Sequence, residues 1–421
     1  MSKLDAFFKF KENNTDVKTE IIAGITIFLA MAYILIVNPA MLSETGMDIQ
    51  GVFIATALSA AIATILMGYI ANYPYALAAG MGLNAFFTYT VVLTMGYSWE
   101  YALLAIFVSG IIFLVISLTS LREKLFYSIP DSLRFGISIG IGLFILALGL
   151  SNLGILSYSS QVINIGDANW ATQLIGLGSA STIFTLGNLL ALICFVIIMV
   201  LMKKNVKGNI LWGILITWGL GIICQFAGLY VPNAEVGCYS LLPDFSNGLA
   251  IPSLSPIFCK LDFKGIFSLD FIVILFAFLF VDLFDTIGTL VGVSSKADML
   301  DKDGKLPRIK GALLADAIAT TAGAVLGTST TTTFVESASG VSEGGRTGLT
   351  SVTTAILFGL SLFLSPIFLA IPSFATAPAL IIVGLYMLTN VMNIDFSDMS
   401  EAIPCYICII AMPFFYSISE G

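Results

Sequence analysis

At 421 residues, 58% of them hydrophobic and 10% charged, the chain is excluded from the soluble globular class. Its net charge of −8 comes without any basic cluster of more than three or four residues, so nucleic acid is excluded as a partner. The chain has no histidine, which leaves side-chain proton handling to carboxylates or another group.

Residues 1–19 read as a cytoplasmic leader. Lys3, Asp5, Lys9, Lys11 and Glu12 are the wrong composition for a cleavable signal peptide. Leu4, Phe7, Phe8 and Phe10 among them fit either a short helix on the membrane surface or a disordered leader. Apolar runs of bilayer length then recur at 20–43, 51–71, 75–94, 100–120, 134–151, 184–202, 210–230, 268–294, 309–327, 330–343, 347–370, 376–393 and 402–418. These thirteen spans predict one all-α integral membrane protein. With the N-terminus inside, Arg122, Lys124 and Arg134, then Lys203, Lys204 and Lys207, then Lys296 to Lys310 fall on the cytoplasmic side. The 152–183 connection has no Lys or Arg and falls outside, as does 231–267, where Lys260 and Lys264 are mild exceptions. The 394–401 loop should be inside but carries Asp395, Asp398 and Glu401, so the rule is weak there. Gly136 and Gly140 read as a helix-packing pair. Cys405 and Cys408 have redox spacing but sit in an apolar span, where small core residues are the better reading. Cys238 and Cys259 share one polar loop and would pair if it faces an oxidising compartment. The Asp301–Lys305 stretch reads as a solvated turn.

Two spans are interrupted in matching places. Residues 77–87, LAAGMGLNAFF, break the third, and residues 327–340, GTSTTTTFVESASG, break the tenth. Each follows a helix carrying the tetrad Ala-Ile-Ala-Thr, at Ala61–Thr64 and Ala317–Thr320, an offset of 256 residues. Backbone leaves helical geometry at membrane depth only where protein or a polar cavity supplies new hydrogen-bond partners. Paired interruptions in a repeat therefore point to a transporter binding site. An odd number of spans per repeat makes the halves antiparallel, a seven-plus-seven inverted repeat. Thirteen spans leave that repeat one short, and the expectation is that the final span is missing after Gly421.

Asp282 and Asp285 lie three residues apart in FLFVDLFDTIGTLVGV, on roughly one helix face. Glu336 lies in the second interruption and Asp316 in the helix before it. A carboxylate near the bilayer centre costs about 2.5–3.5 kcal/mol, so these acids must face an interior that hydrates, pairs or protonates them. Asp285, Glu336 and Asp282 are the candidates for substrate binding and proton coupling, whereas Asp316 also fits a helix fastener. Asn84 follows Gly80 and Gly82; its amide donates and accepts at once, which suits a flat heteroaromatic ring, and the glycines let backbone approach a ligand. Phe86, and Phe334 in the opposite half, are candidate ring partners. The β-branched run Thr330–Thr333 predicts extended chain, so two short extended segments are expected to meet near the midplane, each feeding a half-helix whose N–H groups face the substrate.

These stretches, KTEIIAGITIFLAMAYILIVNP, ALAAGMGLNAFFTYTVV, FVDLFDTIGTLVGV and GTSTTTTFVESASGVSEGGRTGLTSV, resemble the nucleobase–cation symporter-2 (nucleobase–ascorbate transporter) superfamily. The likeness is to its azaguanine-type branch of adenine/guanine/hypoxanthine permeases and spans nearly the full chain. It implies a core domain from residues 20–120 and 268–370 (spans one to four and eight to eleven). A gate domain would come from 121–230 and 371–421, with an extracytoplasmic loop at 231–267. It implies that the base binds between the two strands, with Asp285 and Glu336 at the base-binding acids and Asp282 and Asn84 at polar positions the branch keeps. The implied activity is proton-coupled import of purine nucleobases by alternating access. The implied setting is a plasma membrane with the N-terminus cytoplasmic, proton ahead of sodium, and a homodimer through the gate domain. No cofactor and no metal are expected.

The rival readings are a uracil or xanthine permease of a sister branch and an anion exchanger of the same architecture. Acids beside both interruptions argue against the second. An intramembrane protease needs its aspartates on separate helices, and Asp282 and Asp285 share one.

Overall fold

The computed structural model describes residues 3–119, 130–165, 168–177, 185–232, 240–246, 251–296, 299 and 306–415. Cys238, and with it the pairing to Cys259, lies outside those residues, as does the turn at 301–305. Among the described residues, nine helical stretches are long and apolar enough to cross a membrane. Two shorter apolar helices, Met81–Thr94 and Met399–Phe414, join them. Leu269–Lys296 is a further helix of 28 residues that carries Asp270, Asp282 and Asp285. The chain forms two compact units, Met1–Ser128 with Phe245–Leu369 and Ile129–Asp244 with Ala370–Gly421.

In the first unit, the leader is ordered. Lys3–Phe8 is helical, Phe8 and Phe10 are buried, and Asn72 Nδ2 donates to the Phe8 carbonyl at 3.2 Å. The disordered-leader alternative is therefore set aside: two phenylalanines leave solvent when the segment folds back on the helices. Asn72 ends the Ile49–Ala71 stretch in the left-handed region (φ 51°), and its Oδ1 also accepts from Gly348 N at 2.7 Å.

The first expected span is not one smooth helix. It runs as Val17–Met31 and Ile34–Ser43, with a turn at Ala32 and Tyr33. Val17–Met31 packs against Gly348–Ser361 closely enough that a Cβ on Gly24 would lie 2.6 Å from the Thr350 carbonyl oxygen. Glu20, fully buried, projects into that seam. Its Oε1 accepts from Arg346 N at 2.9 Å, and its Oε2 accepts from Thr347 N and Thr350 N at 3.2 Å and from Thr350 Oγ1 at 2.6 Å. A carboxylate from one helix thus satisfies the orphan donors at the start of another.

The two interruptions contain short strands, Leu77–Ala79 and Thr331–Thr333. They pair antiparallel, with Leu77 opposite Thr333, Ala78 opposite Thr332 and Ala79 opposite Thr331. Gly80 N donates to the Thr330 carbonyl at 2.9 Å and Phe334 N to the Ala76 carbonyl at 3.0 Å, which extends the ladder at both ends. Backbone groups freed from helix thereby bond to one another, as a broken membrane span requires.

In the second unit, Asp131–Asn152 packs on Ser373–Leu388 through Gly142 and Gly384, whose carbonyls leave no room for a side chain. On the same helix, Gly136 lies against Cys405 and Gly140 against Cys408 and Met412. The glycine pair and the two buried cysteines are therefore the two sides of one helix contact, as expected for packing residues. The 152–183 connection is more than a loop: Leu156–Ile165 and Ala168–Leu177 form an antiparallel pair, an addition to the all-α expectation.

Candidate functional site

The strand pair is fastened from both sides by the repeated tetrads. Thr64 Oγ1 donates to the Leu77 carbonyl at 3.1 Å and accepts from Leu77 N at 3.0 Å. Thr320 Oγ1 donates to the Thr331 carbonyl at 3.2 Å. Each tetrad threonine holds its own half's strand, a role that repetition alone did not disclose. Ser59 and Thr331 hydroxyls lie 2.8 Å apart, and Ala76 N donates to Ser337 Oγ at 3.0 Å.

On this platform Thr332 Oγ1 donates to Asp285 Oδ2 at 3.0 Å. A Cβ on Gly80 would lie 2.7 Å from Thr332 Oγ1 and 3.1 Å from Asp285 Oδ2, so only glycine lets the first strand's end meet that carboxylate without a shift. Asp285 is half-buried. Asp282, on the same helix, is fully buried and takes a different partner. Thr286 Oγ1 lies 2.9 Å from Asp316 Oδ1 and 3.4 Å from Asp282 Oδ1. The structure therefore groups Asp282 with Thr286 and Asp316, and Asp285 with Thr332 and Gly80.

Glu336 stands at the N-cap position of the Ser337–Ser342 helix but does not cap it with its side chain. Its Oε1 instead accepts from the Tyr33 hydroxyl at 2.7 Å. Asn84 is fully buried; Ser329 Oγ donates to its Oδ1, and its Nδ2 has no protein partner. An unused buried amide donor is costly unless a ligand or water accepts from it. Phe86 is buried with its ring edge-to-face on Phe278 at 4.9 Å, and Phe334 is buried beside the strand it follows. Sequence reasoning missed Tyr33, Glu20 and Thr332's bond to Asp285. Each partner lies far off in the chain, 303 residues in the case of Tyr33 and Glu336.

The structure gives Asp285 and Glu336 separate hydroxyl partners, Thr332 and Tyr33, and leaves Asn84 Nδ2 without a protein partner. Carboxylates and an amide donor of this kind can bond a planar ring bearing both N–H groups and lone pairs. Among the described residues, no group of three or more His, Cys, Asp or Glu is placed to hold a metal. The open surface pocket lined by Gly96, Tyr97, Tyr101, Asp262, Lys264 and Asp270 shares no residue with this cluster. There the Tyr97 hydroxyl donates to Asp270 Oδ2 at 2.6 Å, and that bond pushes the phenol up to about 12.

The chain matches the permease family Xan_ur_permease over residues 18–420. It is 40% identical over 426 residues to the adenine permease AdeP of Escherichia coli (strain K12), covering 99% of this chain and 87% of that protein. It is 41% identical over 424 residues to the guanine/hypoxanthine permease PbuO of Bacillus subtilis (strain 168), covering 98% and 91%. In fold it is similar to the transmembrane domain of a cyanobacterium bicarbonate transporter, BicA. The TM-score is 0.67 at 14% identity, covering 96% of this chain and 97% of that one.

Proposed function

The chain belongs to this permease family, a multi-pass membrane protein and not an enzyme, and on that premise we propose that it imports purine nucleobases by proton symport. Adenine, guanine and hypoxanthine are the substrates in view, because the relatives are named for them. The observation that carries the reading is the meeting of Asp285, Thr332 and Gly80 at the paired strands, with Glu336 four residues beyond Thr332. One carboxylate accepts from ring N–H or amino groups, Asn84 donates to a ring nitrogen or carbonyl, and the other carboxylate carries the proton. Asp282 belongs to the proton-coupling set through Thr286. Phe86 and Phe334 wall the ring.

The inverted repeat is supported by the register. Leu77 and Thr333, which face each other in the ladder, are separated by the same 256 residues as the tetrads. In this reading the unit holding the strands is the core and the other unit the gate, and the site opens to each side of the plasma membrane in turn. The N-terminus lies in the cytoplasm, on the side of the Lys and Arg clusters.

The test is uptake of radiolabelled adenine and hypoxanthine into cells lacking their own purine carriers. Asp285→Ala and Glu336→Ala should each reduce uptake to the background of empty cells while the protein still reaches the membrane. Undiminished uptake by both variants would overturn the site.

A further inference from the structure

We propose that Tyr33 is a positioning residue for Glu336, setting the orientation in which that carboxylate meets the base. The inference rests on the reading of Glu336 as a base-binding group, and the geometry gives a role to a residue of the KTEIIAGITIFLAMAYILIVNP stretch that had none assigned. The Tyr33 hydroxyl donates to Glu336 Oε1 at 2.7 Å. A bond from a neutral donor to an ionised acceptor is among the stronger kinds, yet it leaves the charge in place. A lysine or arginine there would neutralise the carboxylate and compete with the base's own N–H groups. With Oε1 committed, the carboxylate's second oxygen is the one presented to a ligand.

The donor is itself held rigidly. Tyr33 is 1% exposed and sits where the first span changes from the Val17–Met31 helix to the Ile34–Ser43 helix. The Ser337–Ser342 helix that follows Glu336 is pinned to the same span. A Cβ on Gly340 would lie 2.6 Å from the Ala23 carbonyl oxygen and 2.5 Å from Ile27 Cγ1. Donor and acceptor are therefore both referenced to Val17–Met31, so the hydroxyl meets the carboxylate without either side chain searching for the other. A group held this way keeps a ligand's orientation cheap to reach.

Tyr33→Phe removes only the donor and keeps the ring. Purified variant and wild type, reconstituted in lipid vesicles, are compared for adenine uptake across a concentration series, with apparent melting temperature measured on the same samples. The expected result is a rise in KM of about tenfold, the usual scale for losing a hydrogen bond to a charged group. The maximal rate per transporter should change less than about twofold and the melting temperature should hold, because the ring's packing survives. An unchanged KM overturns the proposal. So does a joint fall in maximal rate, melting temperature and yield, which marks a residue that only packs the helices. Absence of purine uptake by the wild type would instead defeat the parent reading and is distinguished by that control.

Discussion

At the residue scale, the informative side chains are polar groups whose partners come from the other end of the chain. Glu20 is the clearest case. The sequence presents it as an ordinary acid in the first turn of a helix, a position that usually faces water. The structure buries it completely and turns it toward four donors at the start of Gly348–Ser361, while the neighbouring Arg346 guanidinium bonds instead to the carbonyls of Val341 and Gly345. Glu20→Gln keeps the shape but replaces one accepting oxygen with a donor; turned so that the nitrogen takes the place of Oε1, it strands one group, Arg346 N, and turned the other way it strands three. A stranded donor costs about 1–3 kcal/mol, so with the cheaper flip a loss of about 1–3 kcal/mol is expected. It would be read as a lower unfolding temperature in detergent; a Gln variant as stable as the wild type would mean the seam tolerates donors after all. Asp285, Glu336 and Asn84 were legible as candidates because a carboxylate or amide in an apolar span needs a reason to be there. Glu20 and Tyr33 were not, because nothing local in the sequence distinguishes a buried acid near a helix start, or a tyrosine in a span, from a solvated or merely packed one.

Two broken spans and the Leu269–Lys296 helix carry the candidate site, and the positions of the breaks follow from glycine and threonine chemistry. Gly80 and the Thr330–Thr333 run told that helix would fail there, and extended chain is what the structure contains. That the two extended segments meet was expected and is what the structure contains; their register was not readable, since it depends on how Thr64 and Thr320 anchor each strand from behind. The turn at Ala32–Tyr33 was likewise silent: the nearest breaker, Pro39, lies six residues on. Close approach of elements is the other determinant. At Gly340 the obstacle to a side chain is the backbone oxygen of Ala23, which moves only if the helix moves. Gly340→Ala should therefore push Ser337–Ser342 off Val17–Met31, at about 1–3 kcal/mol for the overpacking. Because that shift carries Glu336 away from Tyr33, adenine uptake should fall at least about tenfold. Gly359→Ala, where nothing lies within 4 Å, is the matched control and should leave uptake intact. Equal uptake by the two variants would show that the contact at Gly340 does not set the site.

At the scale of the whole molecule, fold and function separate. The resemblance in fold to a bicarbonate transporter at 14% identity says that the architecture serves more than one solute, so the solute must be argued from the site. Acids beside both interruptions disfavour an anion and favour a guest that donates hydrogen bonds. The coupling ion we propose, the proton, is argued from composition and from the buried acids. A chain with no histidine has carboxylates as its ready proton carriers, and this one buries Asp282 and Asp316 around a shared Thr286 hydroxyl. A hydroxyl has one proton to give, so it bonds one of the two acids at a time, and a proton on either acid relieves the crowding of negative charge. Sodium, by contrast, asks for several converging oxygens at fixed distance. Uptake of labelled purine should therefore collapse when a protonophore dissipates the gradient. It should be unchanged when choline replaces sodium, and an inward proton gradient imposed on de-energised vesicles should drive accumulation. Sodium dependence, or accumulation indifferent to the imposed gradient, would assign the buried acids a structural role and leave the driving ion to be sought elsewhere.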